Sequence, residues 1–161
     1  MYITFEEYTR LYDPIDERLF CRLAFEAGRV MDNHTTGVDG VKKLQKYFPE
    51  DCYDANAVKF CAAKIVNTLF QIQEVEYSSS AGRGYTETEN GLQRKVISSI
   101  QSGSESITFS EAKTANTSID VAAADKKERD HLIASIIKES LSGVTDANGV
   151  NLLYMGVYPR V

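Results

Sequence analysis

Hydrophobic residues recur at helical spacing along most of the chain, and this pattern predicts a mainly α protein. A short first helix begins at Thr4, where Thr4 and Glu7 have the spacing of a capping box. A second helix follows, capped by Asp13 or Asp16, and extends to about His34. Its apolar residues repeat every three or four positions: Leu19, Leu23, Ala24, Ala27, Val30 and Met31.

The longest periodic run starts near Asp54 and predicts the central helix of the fold. A short helix is predicted before it, within residues 41–48. A last helix is predicted over residues 119–141, with Gly143 as its C-cap. The apolar stripe of the central helix is formed by Ala57, Val58, Cys61, Ala62, Ile65, Leu69, Ile72 and Val75, and Val66 and Phe70 widen it.

Residues 96–110 show a different pattern, because apolar and polar side chains alternate there on either side of a turn. Two short strands around Ser102, Gly103 and Ser104 form a plausible β-hairpin. An isolated hairpin is only marginally stable in water, so this one needs a partner surface on its own helices or on a neighbouring subunit. An ordinary surface flap is the alternative interpretation.

The chain after the last helix, residues 144–161, is predicted to be an extended C-terminal tail. Asp146, Asn148 and Gly149 form a turn signal and lack the further ligands of a calcium loop. The apolar residues beyond the turn either pack back on their own domain or are held for a partner. We therefore expect a helical bundle domain of residues 1–81 and 117–143, a loop and hairpin excursion of residues 82–116, and the tail.

Composition narrows the class of protein. With 161 residues, of which 43% are hydrophobic, the chain is long enough for one core. A net charge of −5 argues against sequence-specific binding to duplex DNA, since such binding depends on neutralising phosphates. Cys21, Cys52 and Cys61 form no CxxC pair, and we expect buried free thiols in a reducing cytosol. Neither a signal peptide nor a membrane span is expected.

Candidate chemistry is sparse. The two histidines, His34 and His131, belong to no nucleophile or metal-binding pattern. Residues 82–84, Gly-Arg-Gly, are not followed by the Lys-Ser/Thr of a phosphate-binding loop. We therefore predict that the chain is not an enzyme and has no catalytic residues, cofactor or metal.

Five short motifs, taken in order, resemble one known family. They are Tyr2, Thr4 and Tyr8 at the start, Val-Met-Asp-Asn-His-Thr at 30–35, Ala-Val-Lys at 57–59, Ser-Gly-Ser-Glu-Ser-Ile-Thr at 102–108, and Leu-Leu-Tyr-Met-Gly-Val at 152–157. In order and spacing the chain is similar to the head-tail connector proteins of tailed bacteriophages, which are also called head-completion adaptors. The resemblance covers residues 2–157.

This resemblance implies a structural virion component in the neck of the phage. Such proteins assemble as a homo-oligomeric ring, typically twelve-fold, between the portal protein and a stopper or tail-completion protein. Packaged DNA passes through the lumen without sequence-specific binding, and no membrane is involved. The expected location is the virion, after assembly in the host cytoplasm.

The resemblance also suggests which residues meet the partners. The terminal segment would bind the portal through Asn151, Leu152, Leu153, Tyr154, Met155, Gly156 and Val157. Twelve copies of a chain with a net charge of −5 would carry about −60, and a negative lumen repels phosphate. We therefore expect these residues of the excursion to face the channel or the tail side: Glu87, Glu89, Ser102, Gly103, Ser104, Glu105 and Glu111.

Two other interpretations stay open. The chain could be a small helical adaptor or regulatory protein of a bacterial cell that acts through its apolar C-terminal tail. It could also be a nucleic-acid-associated protein that uses Arg83, Arg94 and Lys95. For the connector, deletion of residues 150–161 is expected to leave a folded helical domain that no longer attaches to the portal.

Overall fold

The computed structural model describes the backbone of residues 1–80, 85–88, 91–101, 106–111 and 117–159, and the side chains of residues 1–77 and 117–159. The protein is mainly α, as the sequence predicts. None of the helices in the described ranges is long and apolar enough to cross a membrane. The helices are α1 (Phe5–Thr9), α2 (Glu17–Thr35), α3 (Lys43–Lys46), α4 (Cys52–Ser80), α5 (Ser118–Ala124) and α6 (Lys126–Ser140), and the strands are β1 (Tyr85–Thr88), β2 (Gly91–Gln101) and β3 (Ser106–Glu111).

The chain forms two compact units. The first consists of residues 1–69 and 133–161, and the second of residues 70–132. The core of the first unit is built from one stripe each of α2, α4 and the end of α6, together with Tyr8 of α1. Its most completely buried side chains include Tyr8, Phe20, Leu23, Met31, Val58, Ile65, Ile137 and Leu141.

Caps fix the start of both N-terminal helices. The Thr4 hydroxyl accepts a hydrogen bond from the backbone N–H of Glu7, and the Glu7 carboxylate accepts one from the N–H of Thr4, so the predicted capping box is present. Asp16 caps α2 by accepting from the N–H of Leu19. A cap of this kind contributes about 1 kcal/mol to helix stability. These local bonds explain why the first two helices begin where the sequence predicts.

In the second unit, β2 pairs antiparallel with β1 and with β3. Gln101 lies opposite Ser106, so the paired strands flank the predicted turn, while residues 102–105 themselves lie outside the described residues. Near the end of this unit, Arg129 donates to the Glu76 carboxylate and to the carbonyl oxygen of Ala122. This guanidinium therefore joins α4, α5 and α6 within the unit.

The single helix predicted over residues 119–141 is wrong, because Asp125 divides it into α5 and α6. Asp125 has extended backbone angles, with φ −126° and ψ 123°. Its N–H closes α5 by donating to the carbonyl oxygen of Val121, and its carboxylate accepts from the N–H of Lys127 at 2.7 Å. Aspartate favours such caps over helix interiors because its side chain competes for backbone donors.

The expectation of three buried thiols is also wrong. Cys61 is buried on the core stripe of α4, but Cys21 and Cys52 are exposed. Cys21 lies off the α2 stripe that contains Leu23 and Ala27, and Cys52 is the first residue of α4. Helical position therefore outweighs the general tendency of cysteine to be buried.

Candidate functional site

The chain beyond α6, which we call the C-terminal segment (residues 144–159), follows a glycine with positive φ. Gly143 has φ +81°, a conformation that terminates helices. A bridge between Thr145 and Asn151 then closes a tight turn. Within it the Asp146 carboxylate accepts from the backbone N–H groups of Asn148 and Val150, each at 2.9 Å. The turn predicted at Asp146 is confirmed.

Lys43 fixes the next part of the segment. Its side chain is buried in the first unit, and Nζ donates to the carbonyl oxygens of Asn151, at 3.2 Å, and of Tyr154. Burial lowers the pKa of the ammonium, while the charges of Asp146 and Asp39 raise it. One buried lysine therefore supplies donors to two carbonyls of a segment that has no helix or strand of its own.

Carboxylates of the first unit bind the segment at two further points, and a third carboxylate makes a bond within the segment itself. Asp54 of α4 accepts from both the N–H and the hydroxyl of Thr145, at 2.9 and 2.8 Å. Asp39 accepts from the N–H of Tyr158 at 2.7 Å, and this bond lowers the pKa of the Asp39 carboxyl. The Tyr158 hydroxyl donates to Asp146 at 2.6 Å. The pKa of Tyr158 is raised, chiefly by burial and also by this hydrogen bond.

Close backbone packing completes the attachment. The N–H of Val38 donates to the carbonyl oxygen of Met155 at 3.1 Å. A Cβ on Gly37 would lie 2.6 Å from the carbonyl oxygen of Gly156, so glycine is required for this approach. Farther along, the rings of Tyr47 and Tyr158 stack with centroids 4.9 Å apart. The segment is therefore packed back on the first unit over its whole length.

The attached segment nevertheless exposes apolar side chains. Leu152 is fully buried and Leu153 is half-buried, whereas Tyr154, Met155 and Val157 are 48%, 50% and 67% exposed. Val38, beside Met155, is 77% exposed. We call these four residues, Val38, Tyr154, Met155 and Val157, the C-terminal patch. Of the two interpretations of the tail, packing back is the one observed, yet part of its apolar surface stays accessible.

The proposed portal-binding residues therefore differ in accessibility. Asn151, Leu153 and Gly156 are half-buried, and Leu152 faces the core. Tyr154, Met155 and Val157 are the exposed members of the set. A partner docking on the surface of this fold would touch those three first.

The residues proposed to face the channel are placed only in part. Glu87 lies on β1 and Glu111 on β3, whereas Glu89, Ser102, Gly103, Ser104 and Glu105 lie outside the described residues. Of the candidate nucleic-acid-binding residues, Arg94 and Lys95 lie on β2 and Arg83 is outside the described part. The orientation proposed for these residues stays a prediction.

The sequence did not indicate which residues attach the C-terminal segment. Lys43 stands in the polar sequence Lys-Leu-Gln-Lys, which is typical of a solvent-exposed turn of helix. Asp39 and Asp54 resemble ordinary loop and helix-start carboxylates. The one signal was the apolar tail itself, because such a tail needs partners for its backbone groups wherever it becomes buried.

Within the described residues, no three His, Cys, Asp or Glu side chains are grouped so as to hold a metal ion. The described residues do provide an exposed apolar surface whose backbone is attached by hydrogen bonds. Comparisons with protein-family models, with curated proteins and with solved structures find no match to this chain.

Proposed function

We propose that this protein is a non-catalytic structural adaptor, a head-tail connector of a tailed bacteriophage. In this role it forms a ring, typically twelve-fold, between the portal protein and a stopper or tail-completion protein. The proposal rests on the order of the sequence motifs that resemble this family. The C-terminal patch supports it, because an adaptor needs a surface on which a partner can dock.

The observation that bears most on this role is the combination of firm attachment with exposure. Lys43, Asp39 and Asp54 bind the backbone of the C-terminal segment, and Leu152 anchors it in the core. The backbone is therefore ordered before a partner arrives, which reduces the entropy lost on binding. Met155 and Val157 present apolar surface that gains free energy when a portal covers it.

The acidic composition fits a channel through which DNA slides. Each chain contributes a net charge of −5, and like charges keep phosphates from binding to a ring wall. A nucleic-acid-binding role would instead need a concentration of positive charge that neutralises phosphates.

The direct test is binding to a purified portal protein, with the complex counted by native mass spectrometry. We expect a ring of this chain on the portal, and we expect the double variant Met155→Ser/Val157→Ser to bind at least tenfold more weakly. Tyr53→Ser is the matched control, because Tyr53 is 82% exposed and lies outside the C-terminal patch. Equal binding by the wild type and the double variant would contradict the proposed surface.

The bacterial adaptor remains the second candidate, and the same patch favours it. In that role the chain would form a soluble complex with a single cellular protein and would form no ring on a portal. Absence of any portal complex, together with a one-to-one complex that is lost in Met155→Ser/Val157→Ser, would select this alternative.

A further inference from the structure

The solvent face of α2 carries a stripe rich in arginine, with the exposed Glu17 and Glu26 beside it. Arg18, Arg22, Phe25 and Arg29 follow one another at steps of four, three and four residues, so they form one stripe along the helix. All four are exposed, and Phe25 is 70% exposed. The stripe is about 16 Å long at the rise of an α-helix. An exposed phenylalanine between arginines is not explained by packing within the unit.

A cavity of about 510 Å³ lies beside the C-terminal half of this stripe. Phe25 and Arg29 line it from α2, and Met1, Leu44 and Lys42 line it from the N-terminus and from around α3. We call this site the α2 groove. Met1 is 71% exposed, so a second large apolar side chain is accessible here.

Gly28 and the Tyr2 ring lie side by side in the lining of the α2 groove. Gly28 has no side chain, and a Cβ built there would meet the Tyr2 ring at 3.6 Å. The Tyr2 ring is itself stacked on Phe48, with centroids 6.0 Å apart. The Tyr2 ring therefore gives the groove an aromatic wall, against which an apolar side chain can pack.

The charge of the groove is positive. Asp32 is the carboxylate among its lining residues, but it is 8% exposed and accepts hydrogen bonds from the Tyr2 hydroxyl and, at 2.6 Å, from the Gln45 amide. Both oxygens of the Asp32 carboxylate therefore already accept hydrogen bonds from within the protein. Arg29 and Lys42 at the rim set the field that a ligand meets.

We propose that the α2 groove binds an acidic segment of a partner protein, with one apolar anchor side chain. The anchor enters between Phe25, Met1 and Leu44, and carboxylates on either side of it pair with Arg29 and Lys42. Guanidinium groups suit this task because they bind carboxylates in a bidentate manner. A continuing acidic segment would reach Arg18, since the stripe extends along the helix.

A peptide fits this surface better than a nucleic acid does. The groove offers an aromatic and aliphatic pocket for one side chain, whereas phosphates need a continuous track of positive charge. The net charge of −5 on the chain also repels a long polyanion, while a short acidic segment meets chiefly the local field. The groove consists of residues other than those of the C-terminal patch, so this inference goes beyond the proposed function and does not depend on it.

The test uses the full chain and a fluorescein-labelled peptide of about ten residues, in which glutamates surround a single leucine that serves as the apolar anchor. We expect saturable binding by fluorescence anisotropy that weakens as salt is raised, and amide shifts in ¹⁵N spectra centred on Phe25, Arg29 and Lys42. Arg29→Glu and Phe25→Ser should each weaken binding about tenfold. Both residues are exposed, so the thermal melt of each variant should match the wild type.

Lys138→Glu is the matched control for Arg29→Glu, because it reverses one exposed charge of the same unit on a different helix. Its affinity for the peptide should stay within about twofold of wild type. The proposal is overturned if the peptide does not bind or if Lys138→Glu weakens binding as much as Arg29→Glu. Tighter binding of an oligothymidylate of equal charge, with shifts at the same amides, would likewise overturn it in favour of a nucleic-acid site.

Discussion

Lys43 donates a hydrogen bond from Nζ to the carbonyl oxygen of Tyr154, which lies 111 positions later in the chain. The same ammonium donates to the carbonyl oxygen of Asn151 at 3.2 Å. A side chain of a four-residue helix thus contributes to holding the C-terminal segment in place, together with Asp39 and Asp54. These two hydrogen bonds link the stability of the fold to the position of the C-terminal patch.

Replacing Lys43 with methionine tests that link. Methionine has a similar length but no donor, so the carbonyl groups of Asn151 and Tyr154 lose a partner. We expect the free energy of unfolding to fall by about 2–3 kcal/mol, measured by urea denaturation. Lys42→Met is the control, because Lys42 is exposed, and it should change stability by less than about 0.5 kcal/mol. Equal stabilities of the two variants would show that Lys43 does not attach the segment.

The stability of the protein should fall at acid pH. The pKa of Asp39 is lowered from its ordinary value of 3.8, first by the backbone N–H of Tyr158, and that of Glu7 is lowered from 4.5, first by Lys59. A carboxyl whose pKa is lower in the folded state stabilises it above the unfolded pKa, and loses that contribution as pH falls through the folded pKa. The urea midpoint should therefore decline below about pH 4.5.

The variant Asp39→Asn separates the contribution of Asp39 to this acid sensitivity from that of Glu7. The variant keeps an oxygen that can accept from Tyr158 but removes the charge, so its urea midpoint should decline less steeply with acid than that of the wild type. Asp130→Asn is the control, since Asp130 is exposed on α6. A decline as steep in Asp39→Asn as in the wild type would assign the acid sensitivity to other carboxyls.

The three cysteines should differ sharply in reactivity. Cys21 and Cys52 are exposed, whereas Cys61 is buried, and burial raises the pKa of its thiol from 9.0 to about 12. Since the thiolate is the reacting form, a disulfide reagent at pH 8 should modify two thiols rapidly and the third only on unfolding. Mass spectrometry of the labelled peptides identifies the protected residue, and rapid labelling of Cys61 in the native protein would contradict its burial.

The raised pKa of the Cys61 thiol also makes the stability of the fold depend on pH. A thiol whose pKa is raised in the folded state favours folding below the unfolded pKa, and that advantage is lost as pH rises from about 9 towards 12. Cys61→Ala should therefore flatten the decline of the urea midpoint above pH 9, apart from a constant cost of the lost packing. An identical alkaline decline in the variant would attribute it to tyrosines or lysines.

Leu152 and Met155 should separate folding from docking. Leu152 is fully buried, so Leu152→Ala should reduce the free energy of unfolding by about 2–5 kcal/mol. Met155 is 50% exposed, so Met155→Ser should leave stability within about 0.5 kcal/mol of wild type while reducing the apolar area of the patch. A large loss of stability in Met155→Ser would mean that it is a core residue and no docking residue.

The variants Leu152→Ala and Met155→Ser test docking more cleanly than the deletion of residues 150–161 that the sequence suggests. Deleting residues 150–161 would remove Leu152 from the core and leave the buried Lys43 ammonium without its carbonyl partners. An uncompensated buried charge is strongly destabilising. We therefore expect the truncated chain to melt at a lower temperature than the wild type, so that loss of partner binding alone would not identify the docking surface.

Local sequence features predicted much of the helical fold. The Thr4–Glu7 capping box, the Asp16 cap and the apolar stripe of α4 each depend on residues within a few positions of one another. Such patterns can be recognised in the sequence without knowledge of tertiary contacts. The break at Asp125 was missed because the charged residues that follow it are equally typical of a solvated helix face.

The attachment of the C-terminal segment could not be predicted in the same way. Asp54 and Thr145 are 91 positions apart, and Asp39 and Tyr158 are 119 positions apart. Each is an ordinary polar residue in its local context, and only the fold brings the pairs together. Phe25 lies off the apolar stripe predicted for α2, but its place in the α2 groove depends on Met1, Lys42 and Leu44, which only the fold brings beside it.

The close approach of Gly37 to the carbonyl oxygen of Gly156 bears on the order in which this protein acquires its shape. Contacts between residues so distant in sequence close a long loop, and their entropy cost delays them relative to local helices. During synthesis, α2, α3 and much of α4 emerge long before residue 156 does. The surface that includes Met155 and Val157 is then among the last parts of the first unit to form, so a nascent or partly folded chain would not present it to a partner.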